Sequence, residues 1–377
     1  MRAIDAPRMP FQEIAARAWE VLTRRIDNFL FASAMALVGV GLVTLFSAAD
    51  QSMARVTNQA LSLCFALVLM WIVANIPPQT LARAAVPLYV VGVLLLVGVA
   101  LFGVVVNGSR RWLNLGIVRI QPSELMKIAL PLMLAWYFQK FEGRIRWQDF
   151  VVAAILIVVP VFLIKRQPDL GTSLLIAASG FYVLFLAGLS WKVIVGLAIA
   201  GAAAAPLAWT HMHGYQRERI LSFLDPSRDP LGAGYHSTQA SIAIGSGGTI
   251  GKGWLNGTQT HLDFLPERHT DFIFAVFGEE FGLIGNAILL LLYMLLIGRA
   301  MVITANASTL FARLLAGAVT LMFFTYVFVN MGMVSGVLPV VGVPLPLVSY
   351  GGTALVSLFI GLGVLMSVQA HRKLVST

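Results

Sequence analysis

Residues 265–298 read LPERHTDFIFAVFGEEFGLIGNAILLLLYMLLIG, and this stretch decides the fold, since a charged loop runs directly into a long apolar segment. From Asp271 onward the segment is long enough to cross a bilayer, which takes about 20 mainly apolar residues. Lipid offers no partners for backbone N–H and C=O groups, so such a segment must be helical. The stretch therefore predicts a membrane helix that begins at a water-facing loop.

Further apolar runs repeat this pattern along the 377-residue chain, which is 58% hydrophobic and only 11% charged. This composition predicts an all-α polytopic membrane protein with about ten transmembrane helices and leaves no room for a soluble domain. We expect one transmembrane domain over residues 29–369, with a large extracytoplasmic loop, residues 210–270, between helices seven and eight. Besides 271–298, the runs are 29–49, 57–76, 83–106, 123–138, 149–164, 170–188, 192–209, 309–336 and 350–369.

The distribution of Lys and Arg favours a cytoplasmic location for both termini, because cytoplasmic loops carry the excess of these residues. Residues 1–28 form either a short interfacial helix or a solvated tail, and residues 370–377 form a cytoplasmic tail. Cys64 is the only cysteine, so no intrachain disulfide can form. The net charge of +9 is modest for a membrane protein that follows this bias, and it does not indicate nucleic-acid binding.

Residues 211–271 form a polar island that holds five of the six histidines. Titratable groups at a membrane surface are costly, so we expect a functional site here. Asp271 is the candidate general base, because partial desolvation suits a carboxylate to proton abstraction. The alternatives are that Asp271 merely caps a helix, or that it joins a metal site with His261, Asp263 and His269.

The loop before the fourth span predicts a cationic seat for an anionic headgroup. Pro122 suits the start of a helix, Glu124 lies in its first turn, and Lys127 follows one turn later. A charge at that depth costs a few kcal/mol on insertion scales, which favours a function. The alternatives are that the Glu124–Lys127 pair only fixes helix packing and that Trp112 only anchors the chain at the membrane interface. The other candidates in this loop are Arg110, Arg111, Trp112, Arg119 and Gln121.

Three further segments add candidates. Gln167-Pro168-Asp169 repeats the motif of a proline-opened helix with an acid in its first turn. The glycine run 245–253, GSGGTIGKG, departs from a nucleotide-binding loop at Ser246 and Gly253. It still carries Lys252, which, with Arg217 and Arg219, extends the set of basic candidates. The stretch 334–353 contains three prolines, which break the helix at membrane depth. Broken backbone at that depth must line a cavity or be buried in protein. Asn330 and Ser349 could offer hydrogen bonds in such a cavity.

Together these segments resemble the SEDS family (shape, elongation, division and sporulation) over about residues 28–370. The matching motifs are QPSE at 121–124, QPDLGT at 167–172, LPERHTDF at 265–272 and the proline-rich stretch that ends in SYGGTA at 349–354. Residues 251–254 and 266–269 are closer to the family's elongation members than to its division members.

The resemblance implies a ten-helix fold and a glycosyltransferase that polymerises lipid II into β-1,4 glycan strands by an inverting mechanism, with Asp271 in the catalytic position. It also implies, as partners, a class B penicillin-binding protein and other membrane proteins of the elongation complex. A Mg or Mn ion on the lipid diphosphate is expected only as an optional cofactor. The competing hypotheses are a flippase for lipid-linked precursors, a division-type polymerase, and a scaffold that only recruits the transpeptidase.

Overall fold

The computed structural model describes residues 23–106, 109–114, 119–167, 169–212, 214–225, 233–261, 265 and 267–372. The interfacial helix expected within residues 1–28 falls mostly outside the described residues. The helices are α1 (Asn28–Ala48), α2 (Met53–Asn75), α3 (Pro78–Phe102), α4 (Pro122–Lys140), α5 (Trp147–Lys165), α6 (Leu170–Leu186), α7 (Trp191–His211), α8 (Gly214–Leu224), α9 (Ala233–Ser246), α10 (Thr258–His261), α11 (Ile273–Ala305), α12 (Leu310–Val334) and α13 (Gly352–Ala370).

Among the described helices, seven are long and apolar enough to cross a membrane. They are α1, α2, α3, α5, α11, α12 and α13. Large apolar side chains on their outer faces are exposed, for example Leu94 and Phe328, as expected for surfaces that face lipid. The prediction of a mainly helical, multi-pass membrane protein is confirmed.

The core forms where helices pack side by side, some of them consecutive and others distant in sequence. Helix α13 packs along α2, α3 along α4, and α11 along both α1 and α12. A largely buried ion pair ties the start of α1 to α11. The carboxylate of Asp27, which caps α1, accepts two hydrogen bonds from Arg299 of α11 through Oδ2 and one through Oδ1.

A small antiparallel sheet lies between α3 and α4, where the sequence predicted no strand. Its strands are β1 (Val104–Val106), β2 (Ser109–Asn114) and β3 (Arg119–Ile120), in the order β1-β2-β3. The expectation of an all-α chain is corrected here. The strands have six residues at most, too short for a clear alternating pattern, and they form because backbone groups close to the membrane need partners.

Helix α11 is broken at Gly282, whose φ of +63° lies outside the helical region. The glycine run 247–253 lies against the break and supplies its backbone partners: Lys252 N and Gly253 N donate to Glu279 O and Glu280 O, and Leu283 N donates to Gly248 O. A Cβ on Gly251 would stand 2.1 Å from Glu280 O. Glycine is therefore required for this close approach, and the amides of Lys252 and Gly253 are used within the fold rather than offered to a phosphate.

Candidate active site

Asp271 lies in a turn, residues 267–272, that immediately precedes α11. The N-cap of this helix is Phe272, with no side-chain capping bond. The N-cap position therefore falls one residue after Asp271. On one side the turn is tied to the α1–α2 corner by an ion pair between Arg268 and Asp50.

A polar cavity of about 320 Å³ opens beside this turn. Segments far apart in sequence form its walls: strand β2, the first turns of α4, α6 and α13, the inner face of α12, and residues 341–344. The structure thus brings together most of the candidates on the loops before α4, α6 and α11. The polar residues of the lining are Arg111, Gln121, Glu124, Lys127, Asp169, Thr172, Asp271, Tyr326 and Thr353.

The N-terminal ends of helices α4, α6 and α13 converge on this cavity. First-turn residues of each, such as Glu124, Thr172 and Thr353, line its wall. A helix N-terminus carries a partial positive charge and unpaired N–H groups, so it favours anions. The three helix ends therefore make the cavity a suitable environment for a phosphate group, in addition to its basic side chains.

Lys127 is a buried charge in the lining of the cavity. Its residue is only 5% exposed, its Nζ lies 2.6 Å from Glu124 Oε1, and the ammonium stands over the Tyr326 ring at 5.1 Å. The hydroxyl of Ser357 donates to the other oxygen of Glu124. An ammonium has three N–H donors, so Lys127 can keep Glu124 and still bind a second anion.

A second charge pair joins Arg111 to Asp169. Arg111 Nη1 lies 3.4 Å from Asp169 Oδ2, and the same carboxylate caps α6 through the backbone N–H and the hydroxyl of Thr172. In total, the charged side chains of the described lining are two cations and three carboxylates. This differs from the expected basic nest, because each cation already holds an acid. The three helix N-termini add partial positive charge.

Gly342 forms the wall opposite the catalytic candidate. A Cβ built on this glycine would stand 3.2 Å from Asp271 Oδ2, and its φ is +73°. Only glycine adopts this conformation without strain.

We expect Gly342→Ala to lower turnover, because the methyl group crowds the carboxylate. The positive φ adds a cost of about 1–2 kcal/mol to the folded state. Turnover and thermal unfolding measured on the purified variant check both effects. As a control, Gly143→Ala also has a positive φ, of +77°, but nothing stands near its Cβ, so it should lose stability without losing activity per folded molecule.

His269 lies two residues before Asp271, with its ring 5.8 Å from that of Tyr350. Burial lowers the pKa of His269 below its ordinary value of 6.5, and the charge of Arg55 lowers it further. The imidazole is therefore neutral at pH 7. Among the described side chains of this turn, Asp271 is the one that lines the cavity.

Lys252 lies outside the described lining of this cavity. Its Nζ is 2.7 Å from Glu279 Oε1, and the Glu279 residue is fully buried. Thr258, Gln259 and Thr260 donate further hydrogen bonds to the same carboxylate. Lys252 thus compensates a buried charge beside the break in α11.

Lys252→Met is expected to destabilise the fold, because breaking a buried ion pair costs about 3–5 kcal/mol. Lys252→Met combined with Glu279→Gln removes both charges and should recover much of that stability. Thermal unfolding of the two variants measures the difference. A single variant that melts like wild type but no longer uses its substrate would instead return Lys252 to the binding site.

Of the other candidates whose side chains the structure describes, none is among the lining residues. The Arg217 guanidinium donates to Trp209 O and Thr210 O at the end of α7, as a C-terminal cap does. Trp112 lies in β2 opposite Val104 and is not among the lining residues. The side chains of Arg119, Arg219 and His261, and the whole of Asp263, lie outside the described residues.

Sequence reasoning missed Tyr326, Ser357 and Gly342. Tyr326 and Ser357 lie inside apolar spans, where an occasional polar residue gives no local signal of a site. Their partners, Lys127 and Glu124, lie on another helix.

Comparisons with known proteins identify the family of the chain. Residues 27–374 match the profile of the FtsW/RodA/SpoVE family, described as cell cycle protein. The peptidoglycan glycosyltransferase MrdB of Escherichia coli K12 is 51% identical over 352 residues, which cover 93% of this chain and 95% of MrdB.

Two solved structures have the same fold. One matches with a TM-score of 0.82 and 35% identity, covering 92% of this chain and 98% of that one. Its description is structural coordination of polymerization and crosslinking by a peptidoglycan synthase complex. The rod shape determining protein RodA of Thermus thermophilus matches with a TM-score of 0.70 and 32% identity, covering 92% and 97%. The resemblance noted in the sequence is thereby confirmed, and the chain belongs to the FtsW/RodA/SpoVE family, the SEDS family.

Proposed function

We propose that this chain is a peptidoglycan glycosyltransferase that polymerises lipid II into β-1,4 glycan strands for cell elongation and rod shape. The observation that carries the proposal is that Asp271 and Lys127, on distant segments, line one polar cavity beneath three converging helix ends. The activity named for MrdB of E. coli, at 51% identity over almost the whole chain, supports the same reaction.

The mechanism follows from the chemistry of the substrates. Lipid II carries its sugar on an α-linked diphosphate, whereas the new bond is β, so the acceptor attacks from the face opposite the leaving group. Asp271 takes the proton from the acceptor 4-hydroxyl during this attack. The bond to the diphosphate breaks, and the charge that develops on the leaving group needs preorganised positive partners.

Lys127 and Arg111 are the described cations that can supply this stabilisation. An arginine fork suits two phosphate oxygens, and a lysine acts as a point charge. Glu124 and Asp169 hold these cations in place, and Gln121 adds a polar group at the start of α4.

The carboxylates that hold these cations do not form a metal site. Glu124 is engaged by Lys127 and Ser357, and Asp169 by Arg111 and Thr172. These two carboxylates therefore do not fit a protein-held Mg or Mn ion.

The ten-helix topology remains part of the proposal. In this proposal the seven long apolar spans are joined by α4, α6 and α7, which makes ten. Residues 210–270 are then the large loop between spans seven and eight, and residues 29–369 form one domain. Alternation of the spans puts the starts of α4, α6, α11 and α13 on one side. With both termini in the cytoplasm, the cavity of this inner-membrane protein faces the periplasm.

The position of the charges favours this enzyme over a flippase. The described charged residues of the cavity all lie at the end where α4, α6, α11 and α13 begin. A translocation path would need polar groups across both leaflets. A scaffold would not need Asp271 and Lys127 in a common cavity.

The solved structure of a peptidoglycan synthase complex supports a partner that crosslinks the strands. We propose a class B penicillin-binding protein, together with other elongation-complex membrane proteins. The direct test gives the purified chain labelled lipid II, alone and with this partner. We expect glycan strands, and transfer of lipid II across vesicles without polymer would favour the flippase.

A further inference from the structure

Three consecutive backbone carbonyls in front of α11 accept hydrogen bonds from outside the helix. His269 O accepts from Tyr350 N at 2.9 Å, Thr270 O from Ser349 Oγ at 2.7 Å, and Asp271 O from Asn330 Nδ2 at 2.8 Å. All three bonds come from α12 or from the loop that follows it. The backbone of the catalytic candidate is therefore fixed by groups distant in sequence.

Two of these donors also hold the opposite wall of the cavity. Asn330 Nδ2 donates to Val343 O at 2.6 Å, and Ser349 Oγ accepts from Leu345 N at 2.8 Å. Val343 lines the cavity next to Gly342, the residue that faces the Asp271 carboxylate. Each side chain thus joins the turn 267–272 to the loop that faces it.

Both side chains are buried, with Asn330 at 0% and Ser349 at 6% exposure. Water therefore does not readily replace either donor. The hydrogen bonds to Thr270 O and Asp271 O fix the peptide units on both sides of the Asp271 Cα. The direction in which the Asp271 side chain leaves the backbone is therefore fixed as well.

We propose that Asn330 and Ser349 are positioning residues for the catalytic base, which hold the Asp271 carboxylate at a fixed place relative to the cavity wall. This inference rests on the proposed role of Asp271. A displacement of about 1 Å in a reacting group can lower the rate about 100-fold. The effect should appear in kcat, because lipid II is held mainly by groups on other segments.

The test compares Ser349→Ala with Ser349→Thr, which keeps the hydroxyl, in the full-length membrane protein with its partner. Ser349→Ala should lower kcat by about 10- to 100-fold with little change in KM for lipid II, and Ser349→Thr should retain most of the activity. The matched control is Ser179→Ala on α6, an equally buried serine whose hydroxyl donates to Ile176 O. It should leave kcat unchanged.

Asn330→Ala provides a second variant and should show the same loss in kcat among molecules that remain folded. Ser349→Ala with the kcat of Ser179→Ala would overturn the inference, as would equal losses in Ser349→Ala and Ser349→Thr. A loss confined to KM would also overturn it. These outcomes are distinct from failure of the proposed function itself, in which the wild-type protein makes no glycan at all.

Discussion

Replacement of Asp271 by asparagine is expected to abolish glycan synthesis while the protein stays folded. The amide has nearly the shape of the carboxylate but cannot accept the proton from the acceptor hydroxyl. A positioned general base contributes about 100- to 10,000-fold to a rate, so the rate of polymer formation should fall by that factor. The measurement is the initial rate of polymer formation from labelled lipid II.

Glu267→Gln is the matched control, because it removes a carboxylate from the same turn. Glu267 is exposed, is not among the lining residues, and accepts a bond from Thr270 Oγ1. It should keep most of the activity. Normal polymer from Asp271→Asn would remove this aspartate as the base, whatever the control shows.

Lys127→Met should give the second large effect, a loss of lipid II use together with a loss of stability. The variant leaves Glu124 buried beneath Ser357 without its cation, and removing one partner of a buried pair costs about 3–5 kcal/mol. The activity loss has a separate cause, because the ammonium no longer stabilises the charge that develops on the leaving diphosphate. Rates at several lipid II concentrations, together with thermal unfolding, record both changes.

The double variant Glu124→Gln with Lys127→Met separates the two roles. It removes both charges, so stability should recover while activity remains lost. The matched control is the ion pair between the α1 cap and α11, which lies outside the described cavity lining. The double variant Asp27→Asn with Arg299→Met should keep its activity per folded molecule. Recovery of polymerisation in the Glu124–Lys127 double variant would show that this pair serves only to pack the helices.

Much of the cavity could be predicted because its residues lie at the starts of helices. Gln121, Glu124, Asp169 and Asp271 each stand at or just before an apolar run, and alternating spans put those starts on one side. Arg111 and Lys127 follow from the same reasoning. Proximity in the folded chain is then a consequence of topology and needs no knowledge of side-chain contacts.

Other features depend on tertiary contacts that leave no local pattern. Lys252 looked like a phosphate ligand, yet its partner is Glu279 on another segment. Gly282 lies inside the span 271–298, which the sequence predicted as one helix, and a single glycine does not by itself mark the break in α11. The strands β1–β3 are stabilised by pairing with one another rather than by their own periodicity.

The most direct test of the central claim is a density map of the Asp271→Asn variant with lipid II bound, in complex with its partner. We predict that the diphosphate lies in the cavity within contact distance of Lys127 and Arg111, with the sugar turned toward position 271. A diphosphate bound elsewhere, such as beside Lys252, would contradict the account.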